Sequence, residues 1–232
     1  MHWLLLNSGK GEAAFNMAVD EALLEAMARL KHPVLRFYSW TEPAASFGYF
    51  QKFSDVERAT LLRPLVRRST GGGIVPHDAD WTYSFAVPSH HEWHSLAAIE
   101  SYRRIHEWIQ RAFTKLKIET ELAPDKKSAA SRQPELPGEC FTGHEKFDLL
   151  WRGKKIAGAA QRRNKLGLLI QGSVQPPPVL LGRNDWESAM CAVASEAHSI
   201  EWNTLSADKD LLERAAELDR QKYSQTSYNQ KC

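Results

Sequence analysis

The chain has 232 residues, 43% hydrophobic and 25% charged, a composition that suits a globular fold with a sizeable core. Thirty basic side chains oppose twenty-eight acidic ones, and this balance gives no sign of a nucleic-acid or anionic-membrane partner. No apolar run approaches the ~20 residues that cross a bilayer, and the run from Met1 to Leu6 lacks the length and basic start of a secretory signal. Three scattered cysteines, Cys140, Cys191 and Cys232, make no disulfide framework and fit a cytoplasmic chain with reduced thiols.

In chain order, Leu4 to Asn7 reads as a short strand. Ala13 to Leu30 reads as a helix, with Phe15, Val19, Leu23, Met27 and Leu30 at helical spacing. Pro33 stops it, and strands follow at Val34–Tyr38 and Ala45–Phe50. Val66–Arg68 is a strand that runs into Gly71-Gly72-Gly73, and Thr82–Val87 alternates like a half-buried strand. Leu96–Leu116 is the longest predicted helix. Ala123–Gly138, rich in Pro, Ser, Lys and Gln, is expected to be a mobile insert. Three strands are predicted at Phe147–Trp151, Lys155–Gln161 and Leu168–Val174, and Pro176-Pro177-Pro178 ends the sheet region. A polar helix over Asp208–Lys222 closes the chain, with the last ten residues frayed. These elements predict an α+β layer fold, a mixed and largely antiparallel sheet flanked by helices, in one catalytic domain over residues 1–232.

Three features could carry chemistry. Consecutive glycines at 71–73, after Arg67-Arg68-Ser69-Thr70 and before His77-Asp78, mark a sharp bend or a close approach to a ligand, or else a hairpin turn with surface charge. The spacing fits neither a P-loop nor a dinucleotide fingerprint. Cys140 is either a small buried hydrophobe or, given a neighbouring positive charge, a nucleophile. In Gly153-Lys154-Lys155-Ile156-Ala157-Gly158-Ala159-Ala160-Gln161 the two lysines point to opposite faces of a strand, so one can face inward. Small residues beyond it leave the room that an acyl or adenylate pocket needs. His90-His91-Glu92-Trp93-His94 misses the zinc-helix spacing, and no metal site is expected.

In this order the motifs resemble the biotin/lipoate protein ligase superfamily, lipoate branch. The resemblance runs over residues 12–175, through Asn16–Leu24, Leu35–Trp40, Gly48-Tyr49-Phe50-Gln51, Arg67–Gly73 with His77-Asp78, Lys155–Gln161 and Gln171-Gly172-Ser173. Cys140 stands fifteen residues before Lys155, a spacing similar to that of a cysteine/lysine octanoyltransferase subfamily. The residues after Gln175 are too few and too polar for an ordinary accessory C-terminal domain. Pro76, Ile74 and Ala159 depart from the family's usual residues, which bears on substrate fit more than on fold.

The resemblance implies transfer of octanoyl from octanoyl-acyl carrier protein to a lysine of a lipoyl domain, in a glycine-cleavage H protein or a 2-oxoacid dehydrogenase E2, through a Cys140 acyl-enzyme. It gives Cys140 and Lys155 the catalytic roles. Substrate binding falls to Arg67, Arg68, Thr70, Gly71, Gly72, Gly73, His77, Gly158, Ala159, Gln161 and Gly172. This route needs no cofactor. The alternatives are a lipoate-protein ligase that uses ATP and Mg2+, with Cys140 incidental, and a non-catalytic binding module on the same fold.

Overall fold

The computed structural model describes residues 1–125 and 144–231. Residues 126–138 of the predicted insert, Cys140 and Cys232 lie outside the described residues. Strand β1 (His2–Gly11) leads into helix α1 (Ala13–Leu30), followed by β2 (Val34–Trp40), β3 (Ala44–Phe47), α2 (Phe53–Ala59), β4 (Leu65–Arg67) and β5 (Val75–His77). Next come β6 (Trp81–Pro88), α3 (Glu92–Ser95), α4 (Ala98–Lys115), β7 (Glu121–Leu122), β8 (Leu149–Trp151), β9 (Lys154–Asn164) and β10 (Gly167–Val174). The chain continues through α5 (Arg183–His198), β11 (Glu201–Thr204) and α6 (Lys209–Leu218), a π turn at Asp219–Tyr223, and α7 (Thr226–Asn229).

Eight strands form the main sheet in the order β11-β1-β2-β6-β10-β9-β8-β7, and β4-β3-β5 form a smaller one. In the main sheet only the β11–β1 and β1–β2 pairs are parallel. The two-residue period of the strands sorts side chains onto two faces. Leu35, Phe37, Tyr83, Phe85, Leu168 and Ile170 share a core with α4 and α5, while Val34, Tyr38, Ala86 and Leu169 share another with α1 and α6. Helices therefore cover both faces, and all eight residues of β6 are buried. The alternation that predicted a half-buried strand here separates an apolar face from a polar one that is equally hidden.

Helix α1 has the predicted bounds. Lys31 ends it in the left-handed conformation at φ 58°, donating its N–H to the Met27 carbonyl. Helix α5 and strand β11 are additions to the sequence reading, although Trp186, Ala189, Met190, Val193 and Ala194 carry the spacing of a buried helical stripe. Ala123, placed in the insert by sequence, is buried and exchanges main-chain hydrogen bonds with Asp148 and Phe147. The final residues are not frayed up to Lys231. They fold back as α7 and are tied to Arg67 by the hydrogen bonds described below.

Candidate active site

On the α1 side of the main sheet, the strand period lines up Arg36 and Tyr38 from β2, Thr82 and Ser84 from β6, and Gln171 and Ser173 from β10. Asp20 of α1 lies over this row. Its carboxylate accepts hydrogen bonds from Arg36 Nη1 (2.6 Å), Ser84 Oγ (2.6 Å), Tyr38 Oη (3.0 Å) and Gln171 Nε2 (2.7 Å). The Asp20–Arg36 pair is 1% exposed on each side, so removing one partner strands a charge in a medium that cannot solvate it. Asp20→Ala is expected to lower the unfolding free energy by about 3–5 kcal/mol. Urea titration of the variant against wild type measures it.

The smaller sheet folds over the rest of the polar face and closes a cleft of about 440 Å³, part of it open to solvent. Gln171 joins the two parts, because its Oε1 accepts from Thr70 Oγ1 at 2.8 Å. Arg68 sits inside the curve of the glycine loop, donating to Ser46 Oγ (2.8 Å) and to the carbonyls of Gly71 and Gly73 (2.9 Å each). Gly72 holds φ at +89°, and a Cβ at Gly48 would stand 1.9 Å from the Gly72 oxygen. The bend and the close approach that three glycines suggested are thus both present.

His77 lies in the cleft wall, its ring stacked on Trp40 at 3.8 Å. Its Nδ1 is 2.9 Å from Asp80 Oδ2 and its Nε2 is 2.6 Å from Ser46 Oγ. Asp80 also accepts from Thr82 Oγ1 (2.9 Å) and Ser173 Oγ (2.7 Å). Burial alone would raise the Asp80 carboxyl, but His77 and the two hydroxyls outweigh it and hold the group below its usual range.

Lys154 is exposed, whereas Lys155 turns inward. A register shift between β8 and β9 separates the pairs Leu149–Ala157 and Leu150–Lys155. Lys155 Nζ meets Asp148 Oδ2 at 2.7 Å, and the two side chains are 4% and 0% exposed. Asp148 also accepts from the Glu145 N–H (2.7 Å) and from the Tyr102 hydroxyl. A Cβ at Gly158 would stand 2.8 Å from Lys155 Cε and 3.0 Å from Nζ, so the glycine makes the channel through which the lysine reaches the edge of the cleft.

Behind this pair, the ring of the fully buried His106 lies 4.3 Å from that of Tyr102, and its Nδ1 bonds the Tyr102 carbonyl at 2.8 Å. Burial pushes its pKa from 6.5 down to about 4, against the attraction of Asp148. The unfolded imidazole binds its proton near 6.5 while the folded one resists until about 4. Between these values the unfolded state binds more protons, so stability falls as pH drops through the window, by about 3 kcal/mol at its lower end. His106→Leu is expected to flatten the pH dependence of the urea midpoint between about pH 6.5 and 5.

Of the binding residues expected from sequence, Arg68, Gly72, His77, Gly158, Ala159 and Gly172 border the cleft. Thr70, Gly71 and Gly73 belong to the loop that closes it. Two side chains are committed elsewhere. Arg67 is buried beneath the loop, and Gln161 bonds Ser101 Oγ and the Ala98 carbonyl at the start of α4. Gly172 is small for a different reason, since a Cβ there would lie 2.2 Å from the Tyr83 ring on the far side of the sheet. Cys191 is not activated. Burial, with Glu187 nearby, pushes its thiol up to about 12. Asp148 and Tyr102 did not emerge from the sequence reading, because no local motif marks them, and Asp20 lies in the Asn16–Leu24 segment without being singled out there.

The fold, a mixed sheet with a glycine loop closing a cleft on its polar face, is shared with solved lipoate-protein ligases. Lipoate-protein ligase A bound with ATP superposes with a TM-score of 0.79 over 99% of both chains at 23% identity. A bi-partite lipoate protein ligase from Thermoplasma acidophilum gives 0.71 over 99% of this chain and 96% of that one, at 20% identity. The chain belongs to the lipoyl protein ligase A/B catalytic domain family, whose model matches residues 12–175. Octanoyltransferase LipM of Kyrpidia tusciae is 38% identical over 178 residues, and LipM of Bacillus subtilis is 37% identical over 182. Each match takes in 74% of this chain, but only 65% and 64% of those proteins' lengths. Among the described residues, no helix is long and apolar enough to cross a membrane.

Proposed function

We propose that the chain is an octanoyltransferase of protein lipoylation, taking octanoyl from the thioester of an acyl carrier protein and delivering it to a lysine of a lipoyl domain. The observation that carries this reading is Lys155, an ammonium paired with a buried carboxylate at the edge of a cleft closed by the glycine loop. The LipM relatives, named as octanoyltransferases, support the same reading. A thioester donor is already activated, so the reaction needs neither a nucleotide nor a metal.

In this reading Cys140 is the nucleophile. Its thiolate attacks the octanoyl carbonyl, a new thioester bond forms, and the carrier thiol leaves with a proton. The Lys155 ammonium favours the thiolate by charge and would stabilise negative charge that develops on the carbonyl oxygen in the tetrahedral intermediate. The amine of the acceptor lysine then attacks the acyl-enzyme. An amide forms as the carbon–sulfur bond breaks, and the Cys140 sulfur leaves as thiolate and takes up the proton that the attacking amine gives up. Pairing with Asp148 fits a lysine that works as a fixed cation rather than as a base. The cleft would take the aliphatic tail, each buried methylene contributing about 0.8 kcal/mol.

The test is incubation with octanoyl-acyl carrier protein and an apo lipoyl domain, with and without ATP. Octanoylated domain formed equally in both arms is the expected result. Modification that requires ATP and free acid would assign a ligase instead, and inertness with both donors would assign a binding module.

A further inference from the structure

Arg67 opens the glycine loop, yet the residue is 1% exposed and its side-chain hydrogen-bond partners among the described residues are main-chain oxygens. All five of its N–H groups donate to main-chain carbonyls. Nη1 takes Tyr49 and Gln51 (2.7 Å each), Nε takes Tyr228 (3.1 Å), and Nη2 takes Asn229 (2.9 Å) and Lys231 (2.8 Å). Its own main-chain N–H donates to Asn229 Oδ1 at 2.8 Å. Only a planar fork of five donors can make this set of bonds, whereas a lysine ammonium offers three. Burial lowers the pKa of the guanidinium, which is held by dipoles alone.

Two of the carbonyls belong to the turn after β3, which lies against Gly72, and three belong to the C-terminal segment. That segment is anchored in turn on α1, where the buried Tyr223 donates to Glu21 Oε2 at 2.5 Å and Lys222 Nζ meets the same oxygen at 2.5 Å. The Ser69 side chain, two residues along from Arg67, acts electrostatically on the Tyr223 phenol. Lys231 Nζ lies 3.5 Å from the centroid of the Tyr49 ring. The C-terminal segment thus reaches both halves of the loop assembly, although it lies beyond residue 175, where the family match ends.

We propose that residues 219–231 are a strap that holds the glycine loop in its acyl-binding shape, with Arg67 as the positioning residue between them. Arg67 gives its guanidinium donors to main-chain carbonyls, so it acts on the cleft through the turn and the loop. It fixes the carbonyl side of the turn so that Arg68, one residue on, can gather Gly71 and Gly73. Without the strap the loop samples open forms, and donor binding must first select the closed one. The loss then falls mainly on the donor concentration needed for half-saturation, and less on the rate at saturation. Only this kinetic arm rests on the transferase reading.

The test compares the wild-type chain with Asn229→Leu and Arg67→Lys by amide hydrogen exchange and by octanoyl transfer. Exchange over residues 68–73 is expected to quicken about tenfold or more in both variants while residues 167–174 keep their protection. Half-saturating donor should rise in parallel. Should Arg67→Lys fail to fold, Asn229→Leu alone decides, because it removes the bond to the Arg67 main-chain N–H and leaves the guanidinium in place. Unchanged exchange at 68–73 overturns the strap, as does a rise spread evenly over the whole chain. Local loosening in a protein whose wild type transfers no octanoyl would uphold the strap and reject the transferase reading.

Discussion

Lys155→Ala is expected to reduce octanoyl transfer about 10²–10³-fold or more, the scale seen when a preorganised charge is removed from a transition state. On sequence alone a pocket lysine supplies charge rather than core volume, and its loss should abolish transfer while leaving the fold intact. The structure changes that expectation. Asp148 is fully buried, and without Lys155 its charge keeps only the Tyr102 hydroxyl and one main-chain N–H among the bonds described here. Breaking a buried pair from one side costs about 3–5 kcal/mol, so the single variant should be both inactive and unstable. The double variant Lys155→Met with Asp148→Asn removes both charges and is expected to recover most of the stability but none of the activity. Urea unfolding and single-turnover transfer on the wild type, Lys155→Met, Asp148→Asn and the double variant separate the two effects. A double variant that regains transfer along with stability would show that Lys155 acts only in the fold. Lys155→Arg should not rescue, since Gly158 leaves a channel fitted to a methylene and an ammonium, not to a planar guanidinium.

The sequence revealed what local signals carry. Helix α1 was legible to the residue because its apolar spacing stops where Pro33 forbids another turn. The strands β6, β9 and β10 were legible from alternation and turn residues, and the glycine loop from its composition. The part of α5 in covering one sheet face was not, because that helix lies far along the chain from the strands it covers. Alanines supply much of the buried stripe of α5, and their small apolar signal is easily passed over.

In the site, composition showed which residue types were present, but not where they pointed. Arg67 ends strand β4 and Arg68 follows it, and the two point in different directions, one to main-chain carbonyls behind the loop and one into its curve. Nothing local distinguishes them. Gln161 sits in the lysine-strand motif yet serves the start of α4. Asp148 was illegible for the opposite reason. It belongs to no motif, and only the pairing of β8 with β9 brings it against Lys155.

Incubation with octanoyl-acyl carrier protein alone is expected to load one octanoyl group onto the chain, as a thioester on Cys140. Of the three cysteines, Cys191 is disfavoured by its surroundings. A thiol whose pKa is pushed up to about 12 holds almost no thiolate at neutral pH, and the thiolate is the nucleophile. Cys232 lies outside every motif of the family resemblance. Cys140 stands fifteen residues before the one lysine of its strand that is buried against a carboxylate. The adduct should release its acyl group to neutral hydroxylamine and to an apo lipoyl domain. Cys140→Ser should lose at least about 10³-fold in turnover, because a serine hydroxyl is scarcely ionised without a general base. Cys191→Ser should load and discharge normally. Intact-mass measurement reads the adduct, and peptide mapping places it. Loading of Cys191, or full activity of Cys140→Ser with lipoate and ATP, would reject the acyl-enzyme. The second outcome would leave Lys155 as a contact to the phosphate of an acyl-adenylate.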